Sequence, residues 1–271
     1  MGTRTDVGRS SRTPVKHYLL DKALGKICGV LGVNSPKVPC RASSTQPLVC
    51  VDLCGGDGLQ TEDHEASPVI MAKHCILLCQ KGKPATLDVI EKSANTYEQL
   101  VDNCGHYPSS VVTLTNGDAR NYELPKLKET QPAFIHCDPN SVDQTPLSRP
   151  FVAGFNRYTT YLVTLGCNVG GAKRTDTEKR SQWFDYVQML IEVLPKHHDS
   201  ILFWLNRDKS QWAYLLSMPK VWAGDFAAKA VVDTGKMWDK GVSSVSYSNQ
   251  RQQFKNELCR LFLTKDENAS R

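Results

Sequence analysis

An apolar run that ends in an acid and is followed by a cluster of glycines narrows the possible folds of this chain. The run Leu48-Val49-Cys50-Val51-Asp52 is followed at once by Leu53-Cys54-Gly55-Gly56-Asp57-Gly58. A short, continuous apolar run is typical of a strand buried on both faces of a parallel sheet. Glycines after such a strand let the backbone approach a ligand, and open α/β sheets bind ligands at the carboxyl ends of their strands. The motif therefore predicts an α/β fold with a ligand site at residues 52–58.

The rest of the chain alternates between strand-like and helix-like segments. Apolar spacing predicts a first helix over 16–31, and Ser67-Pro68 predicts the start of a second, with Ser67 as its N-cap. The other predicted strands lie at 85–90, 111–114, 133–137, 161–165, 201–205 and 257–264. The segment 211–216 is predicted to be helical, and His197-His198 to be a solvated helix end. This alternation predicts a mostly parallel seven-stranded sheet that helices cover on both faces.

Length and composition favour one globular domain. The 271 residues are 40% hydrophobic and 23% charged, which is ordinary for such a domain. No apolar run approaches the ~20 residues that span a bilayer, and the N-terminus lacks the apolar core of a signal peptide. We expect a disordered basic tail at 1–14 and a single domain at 15–271 with an irregular insertion at about 219–250. We also expect the protein to be cytoplasmic, with no membrane partner.

Positive charge is concentrated near the N-terminus. Residues 1–49 hold eight Lys and Arg against two Asp, and the net charge of the chain is +5. Such a basic arm can neutralise nucleic-acid phosphates, or it can be a solvated tail. The ten cysteines include no C-x-x-C pair, so we expect reduced, mostly buried thiols and predict no metal site.

Three later segments repeat the pattern of a strand followed by an acid. Glu91 ends the second predicted strand, where a carboxylate can accept hydrogen bonds from both ribose hydroxyls. Asp118 follows the third strand and could accept one from an adenine amino group. Asp138-Pro139-Asn140 follows the fourth, where a proline-stiffened loop could hold polar atoms against a substrate. Glu91 and Asp118 alone could each be a helix-start acid, but four such features in order predict a ligand site.

The glycine spacing discriminates between classes of nucleotide-like ligand. Gly56 and Gly58 lack the third glycine of the dinucleotide fingerprint, and Glu91 lies further along the chain than in NAD folds. The sequence contains no G-x-x-x-x-G-K-[ST] phosphate loop and no G-x-S-x-G elbow, which argues against an ATPase and a serine hydrolase. S-adenosylmethionine fits this pattern better, because it carries adenosine but no phosphates.

The order of these motifs resembles that of class I S-adenosylmethionine-dependent methyltransferases. More narrowly, it is similar to the three-Cys-motif partner family, a methyltransferase-like group found beside mobile-element and defence genes. The resemblance covers about residues 15–140. The matching segments are Lys16-His17-Tyr18-Leu19-Leu20, Asp52 to Gly58, Ala66-Ser67-Pro68-Val69-Ile70, Val89-Ile90-Glu91-Lys92 and Phe134 to Asn140.

The resemblance implies a Rossmann-like class I methyltransferase fold and assigns roles to residues. It implies cofactor contacts from Asp52, Cys54, Gly55, Gly56, Gly58, Glu91, Lys92, Asp118 and Ala119. It also implies a catalytic centre at Asp138, Pro139 and Asn140. Methyltransferases that act on the amino groups of bases have [DNS]-P-P-[YFW] there, whereas Asn140 and Ser141 stand in this chain for the second proline and the aromatic residue.

Two classes of function follow from this pattern. The first is a methyltransferase that transfers methyl from S-adenosylmethionine to an exocyclic amine of nucleic acid, with Asp138 accepting a hydrogen bond from that amine. The second is a catalytically degenerate, cofactor-binding partner protein in a mobile-element or defence assembly, which the missing aromatic residue favours. Transfer of a group other than methyl also stays open.

Overall fold

The computed structural model describes residues 13–32, 46–61, 64–139, 149–166, 177–194, 196–205, 212–220, 223 and 242–263. The helices are α1 (Thr13–Gly32), α2 (Ser67–Gln80), α3 (Ala94–Cys104), α4 (Arg149–Ala153), α5 (Thr177–Val193) and α6 (Arg251–Phe262). The strands are β1 (Leu48–Asp52), β2 (Gln60–Thr61), β3 (His64–Glu65), β4 (Ala85–Glu91), β5 (Val112–Asn116), β6 (Ala133–Cys137), β7 (Thr159–Gly166), β8 (His198–Leu205), β9 (Trp212–Pro219) and β10 (Val242–Ser246).

One large sheet organises the fold. Its strand order is β10-β8-β9-β7-β6-β1-β4-β5, and β2 and β3 form a separate two-stranded hairpin. The strands from β7 to β5 pair in parallel, whereas β9 pairs antiparallel with both β7 and β8, and β10 antiparallel with β8. The predicted Rossmann-like α/β fold with a mostly parallel sheet is therefore confirmed. The sheet is mixed and has eight strands, so the predicted number of seven is wrong.

The differences from prediction lie in the last third of the chain. The segment 211–216, predicted to be helical, falls largely in β9, which is paired along its length with β7 and β8. The strand predicted at 257–264 is instead the end of α6, whose buried Phe254, Leu258, Leu261 and Phe262 recur at helical spacing. The insertion predicted to be irregular contains β10.

Two hydrophobic clusters lie on opposite faces of the sheet. Helices α1, α2 and α3 cover one face, where Leu20 and Leu24 pack with Phe134. Helices α4, α5 and α6 cover the other, where Trp183 and Leu190 pack with Ile135. Successive side chains of a strand point to opposite faces, so β1 and β6 are buried on both sides, as their continuous apolar runs predict.

The boundaries of α1 and the start of α2 agree with prediction to within a few residues. Helix α1 begins at Thr13, inside the segment predicted as a tail. Helix α2 begins at Ser67, so its N-cap is Ala66 rather than Ser67, and no side chain caps it. Ser93 caps α3 and accepts a hydrogen bond from the amide of Thr96. Within the described residues, no helix combines the length and the hydropathy needed to cross a membrane. The single-domain organisation stays a prediction.

Candidate functional site

The glycine cluster forms a tight turn at the carboxyl end of β1. Gly56 and Gly58 adopt φ angles of +62° and +64°, which side chains rarely adopt. A Cβ atom on Gly58 would lie 2.7 Å from the Cys104 sulfur and 2.8 Å from a methyl carbon of Leu100. A Cβ atom on Gly56 would meet nothing within 4 Å. The turn is therefore packed against α3 on one side and open at Gly56, as a cradle for a ligand would be.

Glu91, at the end of β4, closes this turn. One of its carboxylate oxygens accepts a hydrogen bond from the Gly56 amide at 3.0 Å, and the other accepts one from the Ser93 amide at 2.7 Å. Each carboxylate oxygen has a second lone pair, so Glu91 keeps the capacity to accept from hydroxyl groups. Glu91 is thus bonded directly to the glycine turn, and its predicted ribose contact stays a prediction.

Asp118 lies one strand further along the same edge of the sheet. Its carboxylate accepts from the backbone amide and the guanidinium of Arg120, and it lies 2.9 Å from the Lys92 ammonium. These bonds hold the pKa of Asp118 well below its ordinary value. Asp118 also precedes the short 3₁₀ turn Ala119–Asn121 as its N-cap. It therefore serves the helix-start role given as an alternative, and its adenine contact stays a prediction.

Asp52 forms a buried pair with a residue that the sequence analysis missed. His136, on the neighbouring strand β6, places Nδ1 3.0 Å from Asp52 Oδ1, and the exposed fractions of the two side chains are 1% and 0%. The Cys54 amide donates to the same Asp52 oxygen at 3.4 Å. The other Asp52 oxygen and His136 Nε2 are buried without a partner among the described residues. The only available signal was a histidine inside an otherwise apolar strand.

Asp138 follows β6 and forms an ion pair with Lys16 of α1. Burial acts to raise the pKa of Asp138, but the Lys16 ammonium, His136 and a hydrogen bond to Thr164 hold it below its ordinary value. Asp138 is therefore a charged acceptor at the edge of the sheet. Pro139 is buried beside it, and Asn140 lies outside the described residues. In the sequence, Lys16 belongs to a segment that carries the family resemblance, and no local pattern marks it as a site residue.

Cys54 contributes a thiol to this region rather than a nucleophile. A hydrogen bond to Cys137 and burial raise the pKa of Cys54 well above its ordinary value. Only a thiolate is strongly nucleophilic, so the Cys54 thiol is inert here. Within the described ranges, no group of three or more His, Cys, Asp and Glu side chains could hold a metal ion.

The residues at this edge fit an adenosyl cofactor. The turn is open at Gly56, Glu91 has lone pairs left for hydroxyl groups, and Asp52 has a buried oxygen without a donor. No phosphate-binding cradle is needed for such a group. Asp118 is the residue that fits least simply, because the Arg120 guanidinium already covers both of its oxygens.

No protein-family model matches the sequence, and no curated protein matches it either. Among solved structures, protein LPL1258 from Legionella pneumophila, of family DUF519, superposes with a TM-score of 0.58 at 12% identity. The match covers 86% of this chain and 95% of that one.

Two further structures superpose less well. A probable spermidine synthase from Corynebacterium glutamicum gives a TM-score of 0.48 at 13% identity and covers 85% of this chain and 75% of its own. An rRNA methylase from Streptococcus thermophilus gives 0.41 at 10% identity, with 71% and 93% covered. The resemblance to the three-Cys-motif partner family stays a prediction. The chain thus shares the fold of protein LPL1258 over most of its length.

Proposed function

We propose that this protein is an S-adenosylmethionine-dependent methyltransferase whose acceptor is an exocyclic amine of nucleic acid. The observation that carries the proposal is the Asp138 carboxylate, which lies near Cys54 of the glycine turn and accepts a hydrogen bond from the Lys16 ammonium. A carboxylate that accepts from one N–H donor at this edge has the chemistry to accept from another.

The positions of the side chains determine the role that each would have in methyl transfer. Gly56 and Glu91 would hold the adenosyl group, and Asp52 would face its amino-acid end. When bound, S-adenosylmethionine supplies a methyl group activated by its positively charged sulfur. The protein's task is then to place an uncharged amine with a free lone pair in line with that methyl group. Asp138, held in its charged form, would accept a hydrogen bond from the amine and leave the lone pair free.

Nucleic acid is the proposed substrate class because of the charge on the N-terminal arm. Eight Lys and Arg against two Asp give residues 1–49 a net charge of +6, whereas the rest of the chain has a net charge of −1. Such a segment binds phosphates without reading sequence and loses affinity steeply as salt rises. Substrate binding that is insensitive to salt would contradict this part of the proposal.

A second function, a cofactor-binding partner protein without activity, is favoured by the same ion pair. Lys16 occupies the Asp138 oxygen that a substrate amine would need, and Asn140-Ser141 stand where a stacking aromatic residue would be. The likeness to the three-Cys-motif partner family agrees with this alternative. In that case the site would bind S-adenosylmethionine without turnover.

The deciding experiment measures transfer of label from methyl-labelled S-adenosylmethionine to DNA, RNA and protein, with calorimetry of cofactor binding alongside. Label on nucleic acid that disappears in Asp138→Asn supports the methyltransferase. Binding without label on any substrate supports the partner protein, and neither binding nor transfer overturns both. Asp88→Asn is the matched control. Asp88 lies within β4, outside the glycine turn, and accepts a hydrogen bond of 2.7 Å from the Tyr122 hydroxyl.

A further inference from the structure

Two acid–base pairs lie side by side at the candidate site and make a row of four titratable side chains. Asp52 of β1 pairs with His136 of β6, and Asp138, which follows β6, pairs with Lys16 of α1. His136 connects the two pairs, because it contacts Asp52 and acts to lower the pKa of Asp138, two residues further along the chain.

The geometry ties this row to both halves of the site. Asp52 and His136 are directly opposite each other in the parallel register of β1 and β6. The Asp52 oxygen that faces His136 also accepts from the Cys54 amide, at the start of the glycine turn. The Leu53 amide donates to the His136 carbonyl at 2.9 Å. His136 is therefore bonded to the strand end that carries the turn and is two residues from the acid proposed to bind the amine.

Burial of the Asp52–His136 pair lowers the stability of the folded protein, which suggests a functional reason for the pair. Removing a charged or polar group from water without a full set of partners destabilises the folded state. One Asp52 oxygen and His136 Nε2 are buried and have no partner among the described residues. A leucine would fill such a strand position without this cost, as Leu162 does at the matching register of β7.

We propose that His136 is the positioning residue of the site, which holds Asp52 and Asp138 in one arrangement and so couples the cofactor turn to the acceptor carboxylate. The role in catalysis rests on the proposed function, but the coupling itself does not. Coupling requires that a change at His136 be felt at Asp138, whether or not the protein has activity.

The primary test needs no cofactor. Carbon-13 NMR of the Asp138 carboxyl, assigned with Asp138→Asn, gives its titration midpoint in the wild type and in His136→Gln. Because His136 acts to lower the pKa of Asp138, its replacement should raise that midpoint by about 1 pH unit. The titratable groups nearest to His136 are Asp52 of β1 and Asp138, which follows β6. Lys16 of α1 pairs with Asp138, and the Cys104 thiol of α3 lies near Asp52.

A matched pair elsewhere provides the control. His74 of α2 lies 2.8 Å from Asp21 of α1 on the same side of the sheet, away from the glycine turn. His74→Gln should leave the Asp138 midpoint unchanged. If His136→Gln also leaves it unchanged, His136 is a structural residue only and the inference is overturned. Should His136→Gln fail to fold, the double variant Asp52→Asn/His136→Gln keeps an uncharged hydrogen-bonding pair, and the same outcomes apply to it.

A second readout separates this inference from the proposed function. Cofactor affinity by calorimetry should fall about tenfold in His136→Gln, because the Asp52 contact to the turn is weakened. If the wild type binds cofactor and transfers label and His136→Gln matches it in affinity and in pH profile, the positioning role fails while the function stands. If the wild type neither binds nor transfers, the function fails, and the Asp138 titration alone decides whether the coupling exists.

Discussion

The two halves of the sheet bury polar side chains in different ways. In the parallel half, acids are paired with bases: Asp52 with His136, which are both buried, and Asp138 with Lys16, which are both half-buried. In the antiparallel half, His198 donates to the Asn156 carbonyl and faces the Ser217 hydroxyl, and Asp199 accepts from Ser246 and Ser248.

This difference distinguishes a half of the sheet that carries the candidate site from a half that supports the fold. In the antiparallel half the partners of His198 and Asp199 are backbone groups and hydroxyls, which carry no charge. In the parallel half both partners are ionisable groups, and two polar atoms keep unused bonding capacity. Buried polar atoms without a partner are rare in folded proteins and are often explained by a functional role. The comparison therefore assigns chemistry to the parallel half and structural support to the antiparallel half.

The largest expected effect tests this division directly. Asp138→Asn should reduce labelled methyl transfer by about 10³-fold, because the amide is a weaker acceptor for the substrate amine. Asp199→Asn should leave transfer unchanged at low temperature and lower the free energy of unfolding by about 2 kcal/mol, since it loses charged hydrogen bonds. Transfer assays and denaturant unfolding of both variants check the pair. Loss of transfer in Asp199→Asn with a folded protein would break the comparison.

The second prediction asks whether the site also stabilises the fold. Gly58→Ala should lower the free energy of unfolding by about 4 kcal/mol, because it combines backbone strain with a clash against Cys104 and Leu100. Gly29→Ala in α1, where a Cβ atom meets nothing within 4 Å, should instead raise stability by about 0.5 kcal/mol. Urea unfolding measures both. Equal stability of the two variants would show that the turn is not packed as described.

The third prediction concerns pH and the antiparallel half. Burial, with the charge of His197, lowers the pKa of His198 from 6.5 to about 4. Below pH 6.5, His198 therefore binds a proton in the unfolded chain but not in the folded protein. The free energy of unfolding thus keeps this contribution in full above pH 6.5 and loses it as the pH drops towards 4. The loss should reach about 3 kcal/mol. Unfolding of His198→Gln, measured from pH 7 to 4, should lack this component, and an unchanged pH dependence would contradict the assignment.

The smallest effects are expected at exposed ion pairs, which should be alike in the two halves. Lys73 pairs with Glu65 near the site, and Arg260 pairs with Glu257 in α6. Lys73→Ala and Arg260→Ala should each change the free energy of unfolding by less than about 1 kcal/mol, because water screens such pairs. Thermal unfolding at low and high salt checks this prediction. A much larger loss of stability in one of the two variants would show that the halves also differ in their exposed ion pairs, and not only in their buried pairs.

The parallel half was the predictable part of the fold. Ala133 to Cys137 is apolar but for His136 and is followed by an acid, and the structure places a buried strand at those residues. The errors lie where tertiary pairing outweighs local preference, as at Trp212–Pro219, which lies between two other strands. The helix from Arg251 was missed because Phe254, which completes its apolar spacing, lies outside the segment 257–264.

The site was predictable in its acids but not in its bases. Asp52, Glu91 and Asp138 each follow or end a strand, and that local pattern is visible in the sequence. Lys16 and His136 contact acids that lie 122 and 84 positions away along the chain. Such partners follow from the packing of α1 and from the register of β1 with β6, which local periodicity does not encode.

The position of β9 between β7 and β8 has a consequence for how the chain assembles. In the sequence, β9 comes after both β7 and β8, although it lies between them in the sheet. Until β9 has formed, the edge of β7 has unpaired backbone groups and exposed apolar side chains, and a strand of another chain can pair with it. A nascent chain that has reached Gly166 but not Pro219 is therefore the species most exposed to aggregation, and the one for which a chaperone would matter most.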